Sequence, residues 1–242
     1  MRRPSPVESD TLRHMTRRKL GRMKVVEPDA ATAGKYFLRV SGGDLHNDPD
    51  SVPRLTSLSL FGDDAPLEME VGCGSGEFLC SLAESRPDTN FIGLDVHLKS
   101  LHKGIEAASE ARLGNIKFVS VDFRQAYPLF VPDSLDTVYL HFPDPGMKAR
   151  DKKRRIFDGR FLDEMHRAVV AGGKMSLVTD DEDYFGRMLG LIEKEKRWTR
   201  THGEPHLVGF EPKVKSRFQT LWERRGKKVY RFELRNRKAD WR

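Results

Sequence analysis

Segment 70–77 carries residue types at a spacing that could bind a cofactor. An acidic residue, Glu70, ends a short apolar run and precedes three glycines at alternate positions, Gly72, Gly74 and Gly76. Alternate glycines allow positive φ angles and let a ligand approach the backbone with no Cβ in the way. The dinucleotide fingerprint G-x-G-x-x-G needs its third glycine where this chain has Glu77, so the spacing disfavours NAD and FAD.

The charges around these glycines predict the kind of cofactor. Glu70 and Glu77 would repel a pyrophosphate placed at the N-terminus of the helix that follows. A cofactor with an amine and a cation is favoured instead, and S-adenosylmethionine has both in its amino acid moiety and its sulfonium. A glycine turn without any ligand stays open as the alternative for this loop taken alone.

Two more acids follow the next two predicted strands. Asp95 ends the second strand about 20 residues beyond the glycines, where a carboxylate can accept both hydroxyls of an adenosine ribose. Asp122 follows the third strand, where an acid near the adenine edge could accept a hydrogen bond from its amino group. A single such acid is more often a helix cap, but three successive strand ends with acids indicate a ligand site.

The loop after the fourth predicted strand presents one acid among bases. Pro143 and Pro145 bracket Asp144, and their fixed φ angles make this a stiff turn. Six Lys and Arg then fall within residues 148–155. One carboxylate beside phosphate-binding side chains is typical of a site that modifies a nucleobase.

Alternating strands and helices position these residues. Short apolar runs predict strands at residues 67–71, 90–95, 116–121, 135–142 and 174–179. Helical periodicity lies between them, at residues 77–85, 99–111, 159–170 and 183–194. Such alternation predicts right-handed βαβ units and an α/β fold with a mainly parallel sheet. The tail alternates apolar and polar residues over 228–234, which predicts antiparallel pairing at one sheet edge.

Composition narrows the class of protein. The 242 residues are 38% hydrophobic with a formal net charge of +7, which suits one folded domain with an appendage. No window approaches the ~20 apolar residues of a membrane span, and no signal-peptide pattern follows the basic start. Cys73 and Cys80 cannot form a four-ligand zinc site, so we expect no metal and a cytoplasmic, reducing location.

The net charge hides a strong asymmetry. Residues 1–24 carry +6, residues 148–155 carry +5 and residues 213–242 carry +9. These 62 residues together carry +20. Because the net charge of the whole chain is +7, the other 180 residues must sum to −13. Three basic segments on an acidic body favour a polyanionic partner, with nucleic acid ahead of an anionic membrane surface. Residues 1–53 are also poor in apolar periodicity and end in a turn-rich stretch at 41–53. The sequence therefore predicts a basic N-terminal arm and linker at 1–53 and the main domain at 54–242.

Several motifs follow one another along the chain: the lead L-F-G-D-D-A-P-L at 60–67, E-x-G-x-G-x-G at 70–76, F-P-D-P at 142–145 with its basic run, Thr179-Asp180, and T-L-W-E-R-R-G at 220–226. Together and in this order they resemble the bacterial tRNA (guanine-N(7))-methyltransferase family over about residues 58–236. The chain departs from the usual family pattern at Gly146 and Asp151, where Trp and His are common.

This resemblance implies a Rossmann-like class I methyltransferase fold, with a mainly parallel seven-stranded sheet flanked by helices and an antiparallel edge strand. It implies S-adenosylmethionine as cofactor and a guanine in the variable loop of tRNA as substrate. By carry-over, Glu70, Asp95 and Asp122 would hold the methionine part, the ribose and the adenine region, with the three glycines shaping the loop. Asp144 would be the catalytic residue, an acidic side chain at the site of the chemistry. The implied substrate-binding residues are Lys148, Asp180, Thr220 and Glu223.

Other function classes stay open at this stage. A methyltransferase of small molecules or of protein shares the glycine loop and the strand-end acids, but the three basic segments and the F-P-D-P loop disfavour it. An RNA-binding protein on a retired methyltransferase fold is kept open by Gly146 and Asp151, although intact Asp144 and intact glycines count against it.

Overall fold

A computed structural model of the chain describes residues 26–146, 155–204, 206–208, 224 and 226–238. One sheet of nine strands forms its centre. The strands are β1 (Phe37–Arg39), β2 (Leu67–Val71), β3 (Asn90–Asp95), β4 (Ile116–Ser120), β5 (Leu135–His141), β6 (Val169–Thr179), β7 (Trp198–Arg200), β8 (Leu207–Val208) and β9 (Tyr230–Asn236).

The sheet order is β1-β4-β3-β2-β5-β6-β9-β7, with β8 also pairing with β9. The six strands from β1 to β6 run parallel to one another. β9 runs antiparallel to β6, and β7 and β8 run antiparallel to β9. β3 and β4 are added on one side of β2, whereas β5 and β6 lie on its other side. The strand order therefore switches between β2 and β5, and open α/β sheets bind ligands in the crevice above the carboxyl ends at such a point.

Helices follow the strands and cover the sheet. Two 3₁₀ turns lie at Pro49–Ser51 and Tyr127–Leu129. The helices are α1 (Ala30–Tyr36), α2 (Gly42–Asn47), α3 (Ser57–Phe61), α4 (Glu77–Ser85), α5 (Leu98–Glu110), α6 (Gly159–Ala168) and α7 (Glu182–Ile192).

Hydrophobic cores lie on both faces of the sheet because successive strand residues point to opposite sides. In β4, Phe118 belongs to a cluster with residues of α4 and α5, whereas Val119 belongs to the larger cluster that α6 and α7 cover. α6 contributes the apolar stripe that its sequence predicts, and the Asp158 side chain caps its start by accepting from the Phe161 N–H. The side chains on both faces of the central strands are therefore buried, which explains the continuous apolar runs in their sequences.

β2 nevertheless buries two acids, and one of them is paired. Glu68 receives two hydrogen bonds from the Arg86 guanidinium, at 2.8 and 2.7 Å, and one from the Tyr139 hydroxyl at 2.7 Å. Such a fully satisfied network tolerates burial of the charge. Glu70, two residues along the same strand, lies at the functional edge.

The predicted α/β class and mainly parallel sheet are confirmed. The predicted strand and helix ranges agree with the structure within a few residues, except that β6 begins at Val169 rather than near residue 174. Among the described residues the sheet has nine strands where seven were predicted, because β8 adds to one side of the sheet and β1 adds to the other.

The segment before residue 54 differs from the predicted linker. From Ala30 onward it forms α1 and then β1, which pairs in parallel with β4. Tyr36, Val40 and Val52 are buried against the domain. These few apolar side chains hold the segment to the sheet edge, although they are too widely spaced to show a period in the sequence. The basic residues 1–24 lie outside the described residues, as do Lys148, Thr220 and Glu223.

Candidate active site

The three glycines all adopt left-handed backbone conformations, but they serve two purposes. Gly72, Gly74 and Gly76 have φ angles of +75°, +58° and +64°. A Cβ on Gly72 or Gly74 would meet nothing within 4 Å, whereas a Cβ on Gly76 would come within 2.3 Å of the Phe118 ring. The first two glycines thus leave an open surface for a ligand, and the third allows the loop to pack on the core.

Glu70 is buried directly beneath this loop. Its Oε2 is buried and has no hydrogen-bond partner among the described residues. Burial raises the pKa of its carboxyl well above the usual range, and the nearby charge of Asp95 raises it further. A buried carboxyl oxygen without a partner is costly, so this site favours a ligand that brings a cation or a hydrogen-bond donor.

Asp95 ties the glycine loop to the end of β3. Its Oδ2 accepts from the Gly74 N–H at 2.9 Å. Its Oδ1 accepts from the His97 N–H at 2.8 Å and lies 3.0 Å from the His97 Nδ1. The carboxylate is therefore held in one orientation at the rim of the loop.

Asp122 stands at the next strand end. It is exposed, and its Oδ1 accepts from the Arg124 N–H at 2.9 Å. Since β4, β3 and β2 are neighbours in the sheet, the structure places Asp122, Asp95 and Glu70 in a row along one edge, as the sequence predicts. Their binding roles stay predictions.

Asp144 lies at the same edge, beyond β5. The β2–β5 pairing sets Glu70 opposite Tyr139, and the Phe142 N–H donates to the Val178 carbonyl as the chain leaves the sheet. Phe142 has a φ of +50°, a strained conformation for a residue with a side chain. The exposed Asp144 carboxylate accepts from the Gly146 N–H at 2.9 Å, so the turn fixes its direction.

Asp180 follows β6 and is nearly buried. Its carboxylate lies 3.5 Å from the Nζ of Lys227, and its side chain is 6% exposed. Lys227 directly follows the T-L-W-E-R-R-G motif in the sequence, and this contact brings Lys227 to the carboxyl end of β6. Sequence reasoning did not identify Lys227, because a lysine in a basic tail has no distinguishing neighbour.

Comparison with known proteins decides the family. A family model with the description "Putative methyltransferase" matches residues 64–232. A tRNA (guanine-N(7)-)-methyltransferase of Rubrobacter xylanophilus is 63% identical over 220 residues, which cover 91% of this chain and 99% of the relative. The chain belongs to the tRNA (guanine-N(7)-)-methyltransferase family. A relative of the same name from Chloroherpeton thalassium is 35% identical and covers 88% of this chain and 94% of its own.

Solved structures agree with this family's fold. The 16S rRNA methyltransferase KamB superposes with a TM-score of 0.55 at 14% identity, covering 73% of this chain and 90% of its own. TrmN from Thermus thermophilus gives 0.51 at 21% identity, covering 74% and 46% respectively. At these identities the likeness shows a methyltransferase fold and no more.

One basic residue of this family member is not where the charge pattern suggests. The run 148–155 predicts phosphate-binding side chains throughout, but the Arg155 side chain is only 4% exposed. It donates to the Pro145 carbonyl and pairs with Asp183. The prediction is wrong for Arg155, because partners distant in sequence bury it. The preceding bases, from Lys148 to Arg154, lie outside the described residues.

Histidines near the motifs show no metal site. His141 is half-buried, its Nε2 lies 3.0 Å from the Ser176 Oγ, and desolvation lowers its pKa to about 3. It is therefore a neutral packing residue. Within the described part of the chain, no group of three or more His, Cys, Asp or Glu could hold a metal ion. No helix in that part is long and apolar enough to cross a membrane.

Proposed function

We propose that this protein transfers the methyl group of S-adenosylmethionine to nitrogen 7 of a guanine in the variable loop of tRNA. The observation that carries the proposal is the convergence at one sheet edge of two groups. One is a glycine loop with a buried, unpartnered Glu70 oxygen, and the other is a stiff turn that presents Asp144. Family membership supports the substrate class, and the free thiols of Cys73 and Cys80 suit a cytoplasmic location.

The residues around the loop fit the proposed cofactor. Glu70 would accept from its amino group, and the open faces of Gly72 and Gly74 would receive its methionine part. Asp95 would accept from a ribose hydroxyl, since a carboxylate offers about four lone-pair sites and three contacts to it leave about one of them open. Asp122 would lie near the adenine. When bound, the cofactor supplies a methyl group on a positively charged sulfur.

The chain's own task is chiefly one of alignment. Nitrogen 7 of neutral guanine carries a lone pair and no proton, so no base has to remove a proton before attack. Holding that nitrogen in line with the methyl carbon can lower the barrier by up to ~7 to 11 kcal/mol. Positive charge then develops on the purine. The hydrogen bonds that a carboxylate accepts from the guanine ring N–H and amine become stronger as this charge grows. Asp144 is our assignment for this role, with Asp180 and Glu223 as further substrate contacts.

Phosphate contacts would hold the tRNA. Lys148 and the other bases up to Arg154 follow Asp144 directly in the chain, so phosphates bound there would bring a guanine towards the carboxylate. Thr220 and Glu223 belong to the motif that precedes Lys227, which contacts Asp180. Each phosphate neutralised adds a salt-dependent contribution to binding.

One measurement separates this proposal from its rivals. The protein is incubated with methyl-labelled S-adenosylmethionine and unfractionated tRNA, and the labelled nucleoside is identified after digestion. We expect 7-methylguanosine, mapped to the variable loop by aniline cleavage and sequencing of the modified tRNA. A different labelled nucleoside would overturn the proposed position, and label on a small molecule or protein instead would overturn the substrate. Cofactor binding with no methyl transfer to any acceptor would favour the alternative of a non-catalytic RNA-binding protein with a methyltransferase fold.

A further inference from the structure

The two ends of segment 147–154 are joined at their base. Pro145 lies just before this segment and Arg155 directly after it, and the Arg155 Nε donates to the Pro145 carbonyl at 2.7 Å. This hydrogen bond spans ten residues of chain and involves buried groups on both sides. We call this hydrogen bond between Arg155 and Pro145 the anchor. Asp144 is the neighbour of Pro145, so the anchor lies one residue from the proposed catalytic carboxylate.

Arg155 is held by α7 on its other side. One guanidinium nitrogen pairs with the Asp183 carboxylate and lies 4.0 Å from that of Asp181. The guanidinium carbon lies over the Tyr184 ring, 4.7 Å from its centre. A planar guanidinium can donate to two partners and stack at the same time, whereas the ammonium of a lysine cannot. The three contacts therefore need arginine and leave little of it for a phosphate.

The backbone beyond this arginine is fixed as well. The Arg124 side chain donates to the Arg155 carbonyl at 2.8 Å, and the Phe157 N–H donates to the Tyr184 hydroxyl at 3.0 Å. The backbone N–H of the same Arg124 donates to the Asp122 carboxylate and orients it. The backbone at Arg155 is thus linked both to α7 and to the strand end that carries Asp122.

We propose that Arg155 is a positioning residue, which fixes the turn carrying Asp144 by binding the Pro145 carbonyl to α7. This inference rests on the proposed function of Asp144. It assigns Arg155 to alignment of the substrate and separates it from the bases before it, which would bind tRNA phosphates.

The first test compares turnover with binding. In Arg155→Gln and Arg155→Lys we expect kcat to fall about 10- to 100-fold, because misplacement of about 1 Å can cost that much. The Kd for S-adenosylmethionine and the salt slope of tRNA binding should stay at wild-type values. The control is Arg160→Gln, which removes an exposed arginine five residues away that lies over the Tyr127 ring. Wild-type turnover in Arg155→Lys would contradict the positioning role, because a positive charge alone would then suffice. A salt slope reduced by about 0.7 to 0.9 in Arg155→Gln, with kcat intact, would show instead that Arg155 binds a phosphate.

The second test does not depend on methylation. Hydrogen exchange followed by mass spectrometry should show faster exchange in peptides covering residues 142–157 of Arg155→Gln, with peptides of β2 and β3 unchanged. Asp183→Asn, which weakens the same anchor from an exposed position, should give a smaller effect in the same direction. Loosening of this segment in a protein that methylates no tRNA would reject the proposed function and keep the anchor. Wild-type exchange and turnover in both variants would reject the anchor and keep the function.

Discussion

At the scale of single residues, Glu70 is a buried acid whose destabilising effect depends on pH. Its pKa is raised in the folded protein, so between the unfolded pKa of about 4.3 and the folded value the native state binds more protons than the unfolded state. The free energy of unfolding therefore falls as pH rises through that window, by about 1.4 kcal/mol for each pH unit crossed.

We predict that Glu70→Gln is more stable than the wild type at pH 7.5 in the absence of ligand, and that the difference closes near pH 4.5. Urea unfolding at the two pH values measures this. Glu68→Gln is the control with the opposite sign, because Glu68 is paired with Arg86 and its loss should destabilise. Calorimetry on the same Glu70→Gln protein should show weakened binding of S-adenosylmethionine. A variant that is no more stable at high pH than at low pH contradicts the prediction.

Asp144 carries the prediction about chemistry. Asp144→Ala should reduce methylation of tRNA by about 100- to 1000-fold, the usual loss on removal of one preorganised charge-stabilising group. The Kd for S-adenosylmethionine should change no more than a few-fold, since the cofactor acids lie on other strands. Asp88→Ala is a matched control, because Asp88 is also an exposed acid after a proline but precedes β3 at the other end of the sheet. Unchanged single-turnover rates in Asp144→Ala would remove the catalytic assignment.

Sequence reasoning places the strand-end acids well and Arg155 poorly, for a physical reason. Glu70, Asp95 and Asp144 each follow an apolar run, so the strand itself brings them to the sheet edge. The environment of Arg155 is set by Asp183 and Tyr184, which lie about thirty residues later on another helix. Local charge density in the sequence cannot distinguish a buried arginine from its exposed neighbours.

At the scale of elements, the turn between β2 and α4 depends on Gly76 for packing. Gly76→Ala should lower the free energy of unfolding by about 2 to 5 kcal/mol, which combines left-handed strain with overpacking against Phe118. Gly74→Ala should cost only about 1 to 2 kcal/mol, since its Cβ meets nothing. Gly114→Ala, in open space with no positive φ, serves as the neutral control. Equal losses in urea unfolding for Gly74→Ala and Gly76→Ala would refute the packing role.

The central strands and helices are predictable because each has a hydrophobic pattern long enough to indicate one type of secondary structure. β2 and β3 are buried on both faces, and α6 carries a clear apolar stripe. β1 and β8 have only three and two residues, too few to show a period of two. Their pairing is decided by β4 and β9, which already exist as edges, and tertiary contacts of this kind leave no local signal.

At the scale of the whole molecule, the charge distribution predicts how tRNA binding responds to salt. Replacing Lys152 and Lys153 together by Ala should weaken binding and reduce the slope of log K against log salt by about 1.4 to 1.8, for two lost phosphate contacts. Lys194 and Lys196, exposed lysines beyond the far end of α7, provide the control pair. Fluorescence titrations between about 50 and 200 mM salt measure the slopes. A loss of affinity that is independent of salt would show that these lysines do not bind phosphates.

The position of β9 also has a consequence for how the chain is made. β9 lies between β6 and β7 in the sheet although it follows both in the chain, and Asn236 at its end donates to the Val169 carbonyl at the start of β6. During translation the edge of β6 therefore stays bare while the ribosome proceeds from Thr179 to Tyr230, which takes about 3 to 10 seconds. A bare parallel edge is a site for wrong pairing. We therefore expect a chain truncated before Tyr230, which lacks the strand that covers β6, to aggregate more readily than the full-length protein.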